Sequence, residues 1–133
     1  MEVRLGVLAD EAHISDSGKL SINGIFDKIS AKAFPASHLQ LMLVLVFRIG
    51  SWDEGDHEMI IDLVDADGVS QQSLKSAFHI GHKVREESLN ILLSMPMTTF
   101  RAPGDFSFDV YYDGRHVWSI PLRAELLAPP STS

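Results

Sequence analysis

Apolar and polar residues alternate along most of this chain, with the period of two that marks a half-buried β-strand. Val3, Leu5, Val7 and Ala9 form the first series. Met59, Ile61 and Leu63 form another, with Glu58 and Asp62 beside them, and Leu74, Phe78 and Ile80 follow. Leu89, Ile91, Leu93 and Met95 come next, then Phe106, Phe108, Val110 and Tyr112, and finally Trp118, Ile120 and Leu122. No window carries a comparable helical stripe. The pattern predicts strands at about 3–9, 19–33, 38–49, 57–65, 73–82, 88–99, 105–113 and 115–124.

Turn residues fall between these runs, at Pro35, Gly55, Gly68, Pro103–Gly104 and Gly114. Asp113–Gly114 is the clearest of them, because a two-residue type I′ hairpin needs positive φ at both positions. Asp67–Gly68 reads as a turn in the same way. About eight short strands with regular turns imply an all-β fold, an antiparallel two-sheet β-sandwich of immunoglobulin or C2-like character. Pro121 has no N–H to give a ladder, so its strand lies at an edge or turns that side to solvent.

Two segments depart from simple alternation. In "KLSINGIFDKISAKAF" the apolar positions are even at Leu20 and Ile22, then odd at Ile25, Ile29 and Ala31. Such a parity change at Asn23–Gly24 implies either a bulge or a tight hairpin. In "LQLMLVLVFRI" both parities are apolar from Leu41 to Phe47, as in a strand covered on both faces.

The 133 residues suit one domain, expected over 1–125, with 126–133 a flexible C-terminal tail. A net charge of −7 argues against a nucleic-acid partner, which calls for clustered cations. Without cysteine there is no disulfide, zinc-thiolate site or thiol nucleophile. The apolar run 41–47 is far below the ~18 residues of a membrane span, and "MEVRLGVLADEA" lacks the form of a signal peptide. The expectation is a soluble, cytoplasmic protein without a membrane partner.

Candidate chemistry comes from polar residues in the connections. If strands alternate direction, 10–18, 50–56, 83–87 and 113–114 share one end, and that end is rich in acids and imidazoles. Asp10, His13, Asp16, Asp53, Asp56, His57 and His116 are then candidate ligands for a divalent metal or a small ligand. "DLVDADGVSQQS" does not meet the EF-hand spacing and reads as a hairpin turn. No G-x-S-x-G, nucleotide-binding glycine motif or HExxH is present, so no catalytic residue and no cofactor is assigned.

A second candidate is apolar. With the odd positions of β-segment 38–49 turned to the core, Met42, Val44 and Val46 point outward, and Ile60 and Val64 have the outward parity on the following strand. Were those strands paired, the five would form one patch, the kind of surface that receives a protein partner or a second copy of the chain. Trp52, among loop acids and glycines, is either an anchor for such a partner or a lid on one end of the domain.

"LAD", "GKLSINGIFDKI", "FPASHLQLMLVLVFRI", "LVDADG", "PGDFSFDVYYDG" and "IPL" together resemble a bacterial family of small single-domain proteins of unknown function, from about Leu8 to Leu122. The resemblance implies an immunoglobulin-like β-sandwich without established activity, cofactor or catalytic residues. The resulting expectation is a non-enzymatic interaction module that self-associates through an apolar sheet face, with metal or ligand binding at the acidic end as the alternative.

Overall fold

The computed structural model describes residues 1–127, apart from the side chains of 38–40 and 96–97. The chain is all-β, with β1 (Glu2–Ile14), β2 (Leu20–Phe26), β3 (Lys28–Ala31), β4 (Ala36–Ile49), β5 (Gly55–Val64), β6 (Ser70–Ile80), β7 (Glu87–Phe100), β8 (Gly104–Tyr112) and β9 (Arg115–Leu126). A single 3-10 turn, Ser51–Asp53, joins β4 to β5. The strands form a four-stranded sheet in the order β2-β1-β4-β7 and a five-stranded sheet in the order β3-β9-β8-β5-β6.

The alternation located these strands well, because each central strand buries one face. Leu41, Leu43, Leu45, Phe47 and Ile49 of β4 share one core with Met59, Ile61 and Leu63 of β5 and Phe106, Phe108 and Val110 of β8. Ile120, Leu122 and Ala124 of β9 complete it from the same sheet. Asp113 and Gly114 have φ of 48° and 82°, the primed turn their residue types demand. Pro121 pairs with Ser107 on one side and precedes the stretch Arg123–Leu126 that β3 pairs with, so no ladder bond is asked of its nitrogen.

Three expectations are corrected. The segment 19–33 is two strands: β2 pairs with β1, and after Asp27 the chain passes to the other sheet, where β3 runs parallel to β9. The five-stranded sheet is therefore mixed, not wholly antiparallel. Asn23–Gly24 is neither bulge nor hairpin, since β1–β2 register is the same on both sides of it, from Leu8↔Phe26 to Ile14↔Leu20. Gly24 instead takes a φ of +73°, and a Cβ there would come within 2.3 Å of Asp10 Oδ2. Phe26 is the core residue and Ile25 points outward at 60% exposure, so the apparent parity change came from an exposed isoleucine followed by a change of sheet.

The bulge lies instead in β1, where register with β4 shifts between Val3 and Leu5. Val3 packs on the core, but beyond the shift it is Leu8 that does so, while Leu5, Val7 and Ala9 pair with the outward Val46, Val44 and Met42. The first strand had looked uniform because both of its faces are apolar. At the C-terminus β9 continues to Leu126, and the Leu127 N–H donates to the Ala31 carbonyl at 2.8 Å. The rest of the expected tail, 128–133, lies outside the described residues.

Candidate functional site

The outward face of the four-stranded sheet is built by register. Val7–Val44–Leu92 form one row across β1, β4 and β7, Leu5–Val46–Asn90 the row on one side, and Ala9–Met42–Ser94 the row on the other. Val44 and Ala9 have no exposed surface, so the middle of this face is closed. Leu5, Val7, Met42, Val46 and Leu92 are partly exposed around it, and Ile25 extends the apolar surface to the β2 edge. Covering β4 on both sides, as its unbroken apolar run implied, leaves a rim of accessible aliphatic surface.

Ile60 and Val64 do not join that surface. They lie on β5 in the other sheet, because the turn at Ser51–Asp53 carries the chain across instead of pairing β4 with β5. Their neighbours are polar: Ile60 sits between Lys75 and Tyr111, and Val64 between Ser70 and Ser107. Trp52 is 66% exposed, with its ring lying against Gly50, where an added Cβ would approach Cη2 to 2.6 Å. Trp118, which begins the last alternating apolar series, is 37% exposed, and its indole occupies the space left by the absent side chain of Gly6.

The acidic end is divided as well. β2 and β4 both run antiparallel to β1, with Ile14 opposite Leu20 and Glu2 opposite Arg48. Asp10, His13 and Asp16 thus lie toward the opposite end of the sheet from Asp53, Asp56 and His57. The Asx-type turn after β5 is held by Asp65, whose Oδ1 accepts from the N–H groups of Asp67 and Val69 at 2.9 Å. Among the described residues no three His, Asp or Glu side chains are grouped to hold a metal ion.

What remains at the second end is a hydrogen-bonded cluster around His57. Its Nε2 lies 2.6 Å from the Asp53 carbonyl and its Nδ1 2.7 Å from Asp113 Oδ2. A carbonyl only accepts, so Nε2 donates to Asp53, and the charged ring donates from Nδ1 to the Asp113 carboxylate. Tyr112 Oη also lies 2.7 Å from Nδ1, and its ring stacks on the imidazole at 5.0 Å. Burial disfavours the charged ring, but the hydrogen bonds to Asp113 and the Asp53 carbonyl, with the charges of both aspartates, outweigh it and raise the His57 pKa. The His57 hydrogen bond correspondingly lowers the Asp113 pKa, and burial pushes the Tyr112 phenol up to about 12.

Asp53 ties this cluster to the other sheet. Its carboxylate accepts from the Met1 ammonium and from the Gly50 N–H, each at 2.9 Å, and it is 3% exposed. Asp113 Oδ1 accepts the Glu58 N–H at 2.9 Å. Both ring nitrogens of His57 are thus engaged within the protein. The arrangement is suited to holding the β4–β5 crossing against the β8–β9 hairpin. The sequence had marked Asp113 for its turn geometry, but nothing in the spacing announced its carboxylate as the partner of a residue 56 positions earlier.

His79 and His82 are exposed and pair with Asp56 and Glu54. His116 belongs to a separate chain on the outward face of the five-stranded sheet. Ser107 Oγ and Ser119 Oγ donate to Asp109 Oδ1 at 2.7 and 2.9 Å, and His116 Nε2 lies 2.7 Å from Ser119 Oγ. With the serine proton committed to Asp109, His116 Nε2 is the donor. The hydroxyl thus stands between carboxylate and imidazole, which differs from the order nucleophile, base, carboxylate that activates a serine.

No helix among the described residues is long and apolar enough to cross a membrane. Comparison with curated proteins gives no match. A family model described as a family of unknown function, DUF6941, matches residues 4–125, nearly the whole of the two-sheet unit, and the chain belongs to that family.

Proposed function

We propose that the protein is a non-enzymatic interaction module that associates with a second copy of itself through the outward face of its four-stranded sheet. The observation that carries this reading is the partly exposed aliphatic rim of Leu5, Val7, Met42, Val46 and Leu92, with Ile25 beside it. Aliphatic side chains on an outward sheet face are covered most simply by the same face of another copy. We further read the two sheets, which share one core, as the layers of a sandwich of immunoglobulin-like type, and place the protein in the cytoplasm.

Met42 and Val46 are the positions to test, because Val44 is wholly buried and its replacement would damage the fold. Light scattering of the wild type should show self-association, and the double variant Met42→Lys, Val46→Lys should have half the wild-type mass with an unchanged circular dichroism spectrum. A wild-type monomer across the accessible concentration range, or a variant that keeps the wild-type mass, overturns the reading.

A further inference from the structure

The two sheets have four outer strands, β2, β7, β3 and β6, and unpaired strand edges invite added strands unless they are short, charged or irregular. β3 has only four residues, and Lys28 pairs with Glu125 beside it. β2 has seven, and Gly24 with its φ of +73° interrupts them. β6 is longer but carries Lys75, paired with Glu58, and His79, paired with Asp56. β7 has fourteen residues, and none from Ser88 to Phe100 is charged.

At β7 the core is also incompletely covered. Leu89, Ile91 and Leu93 pack on the core yet are only partly buried, as are Leu74 and Phe78 of β6. Leu89 and Ile91 face Phe78 and Ile80 across a cleft of about 210 Å³ between the two outer strands. Register with β4 is regular from Glu87 to Met95, so this part of β7 presents an even ladder edge before Pro96.

We infer that Leu89–Met95 pairs antiparallel with the same segment of a second copy about a two-fold axis at Leu92, so that odd residues meet odd ones and the four-stranded sheet extends across both. Charge selects this occupant. At a net charge of −7 two copies repel over most of their surfaces, whereas an uncharged strand meets its own copy without like charges in register. The added strand also brings a second set of Leu89, Ile91 and Leu93 to the open margin of the core. This contact is carried by the edge of the sheet and stands independently of the outward-face reading.

The absence of cysteine makes cross-linking a direct test. Single cysteines are introduced by Ser88→Cys, Asn90→Cys, Leu92→Cys and Ser94→Cys on the edge strand and by Met42→Cys on the face, then oxidised with copper phenanthroline. Successive positions on one face are about 7 Å apart along the strand, and a disulfide needs its Cα atoms within about 7 Å, so only a residue near the axis can bridge. The expected result is self-association of the wild type by light scattering and a disulfide yield that peaks several-fold at one edge position and falls on either side. A flat profile across the four edge positions, or a wild-type monomer, overturns the inference. Bridging at Met42→Cys without an edge peak also overturns it, while supporting association through the face.

Discussion

The outward faces of the two sheets are built on opposite principles. On the four-stranded sheet Val44 has no exposed surface and is ringed by Val7, Leu92, Met42 and Val46. On the five-stranded sheet Asp62 accepts from Ser70, Asp109 from two serines, and Arg123 pairs with Asp105 and Glu125. The second face is finished in solvent by its own hydrogen bonds. The first leaves aliphatic surface that only another surface can cover. The contrast teaches that alternation identifies the core-facing residues, while the use of the other face depends on which strands become neighbours.

The largest effect should come from placing a charge at equivalent central positions of the two faces. Val44→Asp puts an unpaired carboxylate where no solvent reaches and should cost at least about 3 kcal/mol of unfolding free energy. Ile60→Asp, partly exposed and beside Lys75, should cost about 1 kcal/mol. Urea unfolding of both variants compares them directly, and equal losses would dissolve the distinction between the faces.

A smaller effect is expected from Asp109→Ala, which strips two serine hydroxyls of their acceptor. Because that face is exposed and water replaces the lost partner, the cost should be about 1 kcal/mol. A loss of several kcal/mol in the same assay would mean that the polar face is as dependent on its network as the apolar face is on burial.

The smallest effect concerns the cluster that joins the two sheets at Asp53. The folded-state pKa of His57 is raised above 6.5, so its stabilising contribution is complete below pH 6.5 and is lost as pH rises through the raised value. Asp113 is lowered from 3.8, so its contribution is complete above that value and is lost as pH falls through the lowered one. Stability should decline modestly on the alkaline side of pH 6.5 in the wild type, and His57→Gln should remove that slope. An unchanged slope in thermal melts of the variant would assign the pH dependence elsewhere.

Much of this was legible in local residues. The Asp113–Gly114 turn, the two-sided cover of β4 and the core of β5 and β8 follow from φ requirements and alternation, which act over a few residues. The interface candidates fared less evenly. Met42, Val44 and Val46 were rightly placed outward, but assigning Ile60 and Val64 to the same patch assumed that consecutive strands pair. The candidate ligands rested on a similar assumption about strand direction, which fails for Asp10, His13 and Asp16 because β2 and β4 both run antiparallel to β1.

The sequence by itself determined an all-β chain, most of its strand boundaries and the side chains of its core, because the pleat ties every second residue to one face whatever the topology. Only the tertiary structure decided where the chain changes sheets, at Asp27, between β3 and β4, at Ser51–Asp53, and on either side of β7, and hence which outward residues are neighbours. It likewise decided that His57 meets Asp113, and that β7 is a long uncharged edge. Those outcomes depend on contacts between residues distant in the chain, and the local periodicity that forms each strand carries no information about its neighbours.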